Sequence, residues 1–292
     1  MWSYIKIKGN NMSTVQITAA DVNKLRQQTG AGMMDCKKAL TEADGDFEAA
    51  IDLLRKKGQK VSAARSGNTT AEGIVLINLS ADGSNGKLVA LACETEPVSK
   101  VEDFRNLGDA ILAAAVANNP ATAEELEQIK LADGRTVAET ITELTGKIGE
   151  KIVIASYENV SGEAVTSYIH SNGKMGVLVV FAGAQGADLA EAGKDVAMQI
   201  AAMSPIAVDK DGVDPATIER EIEIAKDVIR QEGKPEEMVE KIAAGKLNKF
   251  YKDSTLLNQE FVKDGSVDVR KFLDNTAKGL TVVAFKRVQL GS

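Results

Sequence analysis

The chain contains a single histidine, His170, so any Ser-His-Asp or Cys-His mechanism must run through that imidazole. No Gly-x-Ser-x-Gly elbow accompanies it. Cys36 and Cys93 stand far apart with no Cys-x-x-Cys partner, and they read as small buried hydrophobes rather than metal ligands or reactive thiols. Gly30-Ala31-Gly32 falls between two helical patterns instead of after a strand, which makes it a permissive turn and not a dinucleotide fingerprint. The run from Asp209 to Asp214 has the acids of a calcium loop but a misplaced glycine, and a turn with a helix cap explains it better. No catalytic residue, metal ligand or cofactor site emerges. The residues point to a protein that acts by binding and not to an enzyme.

The elements that must carry such a surface are well punctuated. Thr18 caps a helix with Val22 and Leu25 that stops at Gly30; Asp35 opens a second with Ala39 and Leu40; Asp44-Gly45-Asp46 breaks it before a third at 47–57. Ser84-Asn85-Gly86-Lys87 is echoed at Ser171-Asn172-Gly173-Lys174. Each Asn-Gly sits between β-rich runs, 74–79 with 88–92 and 164–169 with 176–181, and reads as a hairpin turn. Each hairpin leads into an alanine-rich helix, 104–117 or 189–203, ending near Pro120 or Pro205. Two hairpin-plus-helix units imply two related α+β subdomains. Asp214-Pro215 opens a helix with a stripe at Ile218, Ile222, Ala225 and Ile229, followed after Gly233-Lys234-Pro235 by a second helix presenting Met238, Ile242 and Ala243. The tail 280–290 is strand-like and is expected to return to a sheet.

At 292 residues, with 44% hydrophobic and 26% charged residues, the chain suits about two globular domains. A net charge of −7 argues against bare nucleic acid as the main partner. The longest apolar runs, 111–117 and 176–182, are too short to span a bilayer, so no membrane partner is expected. The sparse cysteines fit a reduced, cytoplasmic compartment. Residues 1–13 are expected to form a disordered leader, with Met12 a second candidate start.

The segment from Leu25 through Thr29-Gly30-Ala31-Gly32-Met33-Met34-Asp35-Cys36-Lys37-Lys38 to Leu40 resembles the N-terminal signature of the elongation factor Ts family. Further agreements follow in order at Ala71-Glu72-Gly73, Cys93-Glu94-Thr95, Lys147-Ile148-Gly149-Glu150, 173–179, 197–205 and Leu256-Leu257-Asn258-Gln259. The resemblance covers 14 to about 290. It implies a guanine-nucleotide exchange factor of elongation factor Tu, the GTPase that carries aminoacyl-tRNA. The implied fold is α+β: a ubiquitin-associated-like three-helix domain with linker (14–66), a core subdomain (67–160), a second core subdomain (161–208 with 257–292), and an inserted antiparallel helical hairpin (209–256). Each core subdomain is an antiparallel sheet with helices on one face.

Carried over by position, the resemblance puts Lys37 on the GTPase domain, offers the turn Cys93, Glu94, Thr95, Glu96, Pro97 and Val98 to the magnesium-side helices, and places Ile148, His170, Val262 and Lys263 at the partner surface. By residue type alone, Ile148 and Val262 read equally as core, and Lys37 and His170 as solvated side chains. Relatives typically continue Cys-Glu-Thr with Asp-Phe-Val-Ala, whose phenylalanine wedges between partner helices, whereas this chain reads Glu96-Pro97-Val98-Ser99. An alternative is therefore a chaperone or assembly subunit for elongation factor Tu with weak exchange activity. The family's usual histidine in the second alanine-rich helix is Gln199 here. A homodimer and a heterotetramer with the partner both stay open.

Overall fold

The computed structural model describes residues 16–291. The elements open with α1 (Ala19–Thr29), α2 (Met33–Glu42), α3 (Phe47–Arg65), β1 (Glu72–Leu79), β2 (Asn85–Cys93), α4 (Glu96–Ser99) and α5 (Glu102–Asn118). They continue through α6 (Ala123–Gln128), α7 (Val137–Ile148), β3 (Ile152–Ser161), β4 (Ala164–Ile169), β5 (Met175–Ala182) and α8 (Ala190–Met203). The rest are α9 (Pro215–Gln231), α10 (Glu236–Ser254), β6 (Glu260–Phe261), β7 (Asp264–Asp268), α11 (Val269–Thr276) and β8 (Thr281–Gln289). The class is α+β with antiparallel pairing. The expected leader lies outside the described residues. The chain divides into two compact units, one running to Asn68 and including Glu139–Ile152, the other made of Thr69–Ala138 and everything from Val153.

In the first unit, Thr18 and Asp21 form a reciprocal cap, each side chain accepting the other's backbone N–H, and Gly30 ends α1 at φ 65°. α2 opens at Met33, two residues before the expected Asp35, because Gly32 already serves as its N-terminal flank. Val22, Leu25, Cys36, Ala39, Leu40 and Ala50 close the core between the three helices. Burying each of its leucines contributes about 1.5–3 kcal/mol. α3 does not stop at residue 57 but runs through Gly58 to Arg65. A mid-helix glycine costs about 1 kcal/mol. Here it lets the 139–148 part of α7 cross backbone to backbone, since a Cβ on Gly146 would lie 2.5 Å from the Gly58 Cα.

The second unit contains the sheets β1-β2-β3 and β4-β5-β8, with a short β6-β7 ribbon. In β5 the two alternating sets are both buried. Leu178 and Val180 join Val75, Leu88, Ala90 and Val165 in a layer between the sheets, while Val177, Val179 and Phe181 face Val196, Ala197 and Ile200 of α8. α5 lies on the outer face of the first sheet and α8 on that of the second. Gly108 and Gly193 make that approach possible: a Cβ would meet Leu76 at 2.9 Å in one case and Thr166 at 2.4 Å in the other.

One turn differs from expectation. Asn172-Gly173 does form the β4–β5 turn, but Asn85 and Gly86 lie inside β2, with Gly86 paired to Leu79. The first turn is instead made by Asp82-Gly83.

α9 and α10 pack as an antiparallel hairpin around Ala225, Ile229, Val239 and Ala243. α10 continues through Gly245 to Ser254, and its inward stripe is set by Val239, so that the expected Met238 is 45% exposed. No described helix is long and apolar enough to cross a membrane.

Candidate partner-binding surface

Three of the candidate residues converge on one cleft of about 470 Å³ in the second unit, lined by Tyr168, His170, Met175, Met198, Phe261 and Val262 among others. His170 follows β4 directly. Its backbone N–H donates to the Met175 carbonyl at 2.9 Å and its carbonyl accepts from Gly173 N–H at 2.8 Å, so the turn fixes where the imidazole stands. The Tyr168 hydroxyl lies 3.0 Å from His170 Nδ1. Val262 follows the two-residue β6 and is 57% exposed, although a valine by default seeks the core. Lys263 beside it reaches Asp195 of α8, with Nζ 2.6 Å from Oδ1. Asp195 is buried, so this pair ties the lip of the cleft to its helical wall. Phe261 stacks on Phe272 at 4.0 Å between ring centroids and backs the floor.

A buried aromatic floor, two methionines able to adapt their shape, and an exposed valine and histidine at the rim suit a protein partner with an apolar contact. Among the described residues no group of His, Cys, Asp and Glu could hold a metal. The core reading of Val262 is excluded by its exposure, and His170 is likewise exposed.

The turn after β2 is a separate feature of the same unit. Cys93 is fully buried and Val98 nearly so. Neither side chain offers a contact surface, which leaves Thr95, Glu96 and Pro97 exposed and Glu94 half-buried. Glu96 opens α4 and pairs with Lys100 across one turn at 2.7 Å. The hydrogen bond and charge of Lys100, with the charge of Lys174 behind them, hold the Glu96 carboxyl below its ordinary range. Glu96, Lys100, Arg105 and Lys174 border a second cavity of about 560 Å³.

Lys37 and Ile148 belong to the first unit. Lys37 is exposed on α2, close to Met33 and Met34, which are 50% and 75% exposed. Ile148 closes α7 and is half-buried. Residue typing did not single out Asp195, Tyr168 or Met198. The one available signal was an acid within the alanine-rich stretch of α8.

Comparison with known proteins gives these positions a context. A family model described as Elongation factor TS matches residues 94–292. The chain is 70% identical to the Elongation factor Ts of Cytophaga hutchinsonii over 96% of this chain and 100% of that protein. It is 55% identical to that of Amoebophilus asiaticus and 49% to that of Flavobacterium psychrophilum, in each case over 94% of this chain and 99% of the relative.

Proposed function

The chain belongs to the elongation factor Ts family, and from that premise we propose that it binds elongation factor Tu carrying GDP and accelerates GDP release, so that GTP can rebind during protein synthesis in the cytoplasm. The observation that carries this reading is the convergence of His170, Val262 and Lys263 on one cleft with an exposed apolar rim. Exchange needs no bond to be made or broken, so what it asks of the chain is contact surface. The factor acts by preferring a form of the GTPase whose phosphate and magnesium sites are distorted. A binding protein shifts such an equilibrium only by its differential contacts with the two forms. By reciprocity, GDP weakens the factor's hold as much as the factor weakens that of GDP.

On this reading the cleft supplies anchorage, while Thr95, Glu96 and Pro97 reach the magnesium-side helices. Lys37 and Ile148 provide further contacts from the first unit. The carboxylate of Glu96, kept ionised by Lys100, is one methylene longer than the family's aspartate, and Pro97 offers less apolar surface than a phenylalanine. A buried phenylalanine is worth roughly 1.5–3 kcal/mol. Fluorescent GDP release from elongation factor Tu, followed at rising factor concentration, tests both points. Release should accelerate to saturation, and the double change Glu96→Asp with Pro97→Phe should raise the saturating rate about tenfold. No acceleration at any concentration would overturn the reading. An unchanged rate in the double variant would assign the distortion to other contacts.

A further inference from the structure

Val262 is exposed at its side chain yet held from behind at its backbone. Its N–H donates to Oε1 of Gln199 at 2.8 Å, and Gln199 is 1% exposed on α8. Nε2 of the same carboxamide donates to Gln259 Oε1 and to the Glu260 carbonyl, both at 3.1 Å. Gln259, also 1% exposed, donates in turn to the Asp253 carbonyl in the last turn of α10 at 2.9 Å. The orientation of the Gln199 amide is fixed by this set, because turning it over would aim its NH₂ at the Val262 N–H and its oxygen at two acceptors.

A carboxamide at this place is not needed for packing, since Val196, Ala197 and Ile200 around it are apolar and buried. Burying it unsatisfied would be unfavourable, because a desolvated amide without partners loses its bonds to water with nothing in return. What it supplies is support for a backbone that has little of its own. β6 is two residues long, and its pairing with β7 slips register between Glu260 and Phe261. Two hydrogen bonds of one side chain, with the Val262 N–H and the Glu260 carbonyl, stand in for the missing ladder where Val262 and Lys263 leave the core. A third ties it to the Gln259 side chain.

We propose that Gln199 is the positioning residue of the cleft: buried in its wall at 1% exposure, it sets affinity by fixing the backbone that presents Val262. The proposal rests on the partner-binding reading of the cleft. It is tested by amide hydrogen exchange of the unmodified chain, and by the affinity of Gln199→Met for elongation factor Tu carrying GDP, alone and in a Val262→Ala background.

The Val262 amide should exchange as slowly as those of β5, despite its place at an exposed rim. Gln199→Met should speed its exchange, leave β5 protected and weaken binding about tenfold. In the Val262→Ala background the same change should weaken binding less than about twofold. Fast exchange at Val262 in the unmodified chain, or an equal loss in both backgrounds, would overturn the proposal. Should Gln199→Met fail to fold, Gln199→His keeps one donor and one acceptor and should retain Val262 protection. Failure of the unmodified chain to bind would sink the reading of the cleft, while the exchange pattern still decides whether Gln199 holds Val262.

Discussion

The two hairpin-plus-helix halves of the second unit solve the same local problems with different residues. Their turns are alike: Asp82 Oδ1 accepts from Ser84 N–H at 3.0 Å, and Asn172 Oδ1 accepts from Lys174 N–H at 2.9 Å, with Gly83 at φ 68° and Gly173 at φ 69° between them. The helices also end alike, with Asn119 or Ser204 in the left-handed region just before a proline. The halves are zipped reciprocally. Val165 N–H donates to the Gly83 carbonyl, and Val75 N–H donates to the Gly173 carbonyl. What differs is the Ser-Asn-Gly-Lys echo, which is the turn in the second half, whereas in the first only Ser84 belongs to the turn and Asn85, Gly86 and Lys87 already lie in β2. Structural equivalence therefore joins Asp82-Gly83 to Asn172-Gly173, and the repeated tetrapeptide is out of step with it.

The sharpest way to break this comparison is to put side chains on the two glycines. At Gly86 a Cβ would come within 2.9 Å of both Leu178 and Val165, in the layer between the sheets. Gly86→Val should cost about 3 kcal/mol and lower the melting temperature by several degrees, as overpacking does in a dense core. At Gly173 there is open space, and only the positive φ resists a side chain. Gly173→Ala should cost about 1 kcal/mol. Thermal melts of the two variants decide, and equal losses would mean that the two Asn-Gly pairs do the same work.

That contrast marks what could be read from the residues. The cap at Thr18, the Gly30 stop, the break at Asp44-Gly45-Asp46, the hairpins, the alanine-rich helices and the return of the tail as β8 were all legible, because each rests on local backbone chemistry or on a run of one hydrophobic period. The turn at Asp82-Gly83 was equally local, but a stronger Asn-Gly signal three residues later hid it. The extension of α3 through Gly58 was not legible, since the reason lies in a glycine of α7 far along the chain. At the cleft, His170, Val262 and Lys263 came from family resemblance. Nothing local told an exposed valine from a core one, and Asp195 and Gln199 gain meaning only once α8 is laid against β6.

A smaller effect separates the halves by function. The second half exposes an apolar rim beside its hairpin turn, whereas the candidate turn of the first half, at the far end of β2, buries Cys93 and Val98. Val262→Asp and His170→Ala should each weaken binding to elongation factor Tu by about 2 kcal/mol, the size of an interface hot spot, with melting almost unaltered. Titration calorimetry beside thermal melts checks this. Unfolding of Val262→Asp would return that residue to the core, against its exposure.

The smallest difference is electrostatic and lies in the paired turns themselves. Asp82 accepts from the Ser80 hydroxyl at 2.6 Å and from the Ser84 hydroxyl and N–H, and these bonds lower its pKa from 3.8 to about 2. A carboxyl whose pKa is depressed by folding adds its stability above the unfolded pKa and loses it as the pH falls through the folded value. The first turn should therefore stay intact to near pH 3 and loosen only around pH 2. Asn172 makes the equivalent bond with a group that does not titrate, so the second turn should show no step in that window. Carboxyl carbon NMR gives the Asp82 midpoint, and amide shifts of Gly83 and Gly173 report the two turns side by side. Asp82→Asn should make the first turn behave as the second, removing the acid step at Gly83 with little change in melting at neutral pH. An Asp82 midpoint near 3.8, or a Gly173 shift that follows the same acid step, would show that the serines do not hold this carboxylate as the geometry requires.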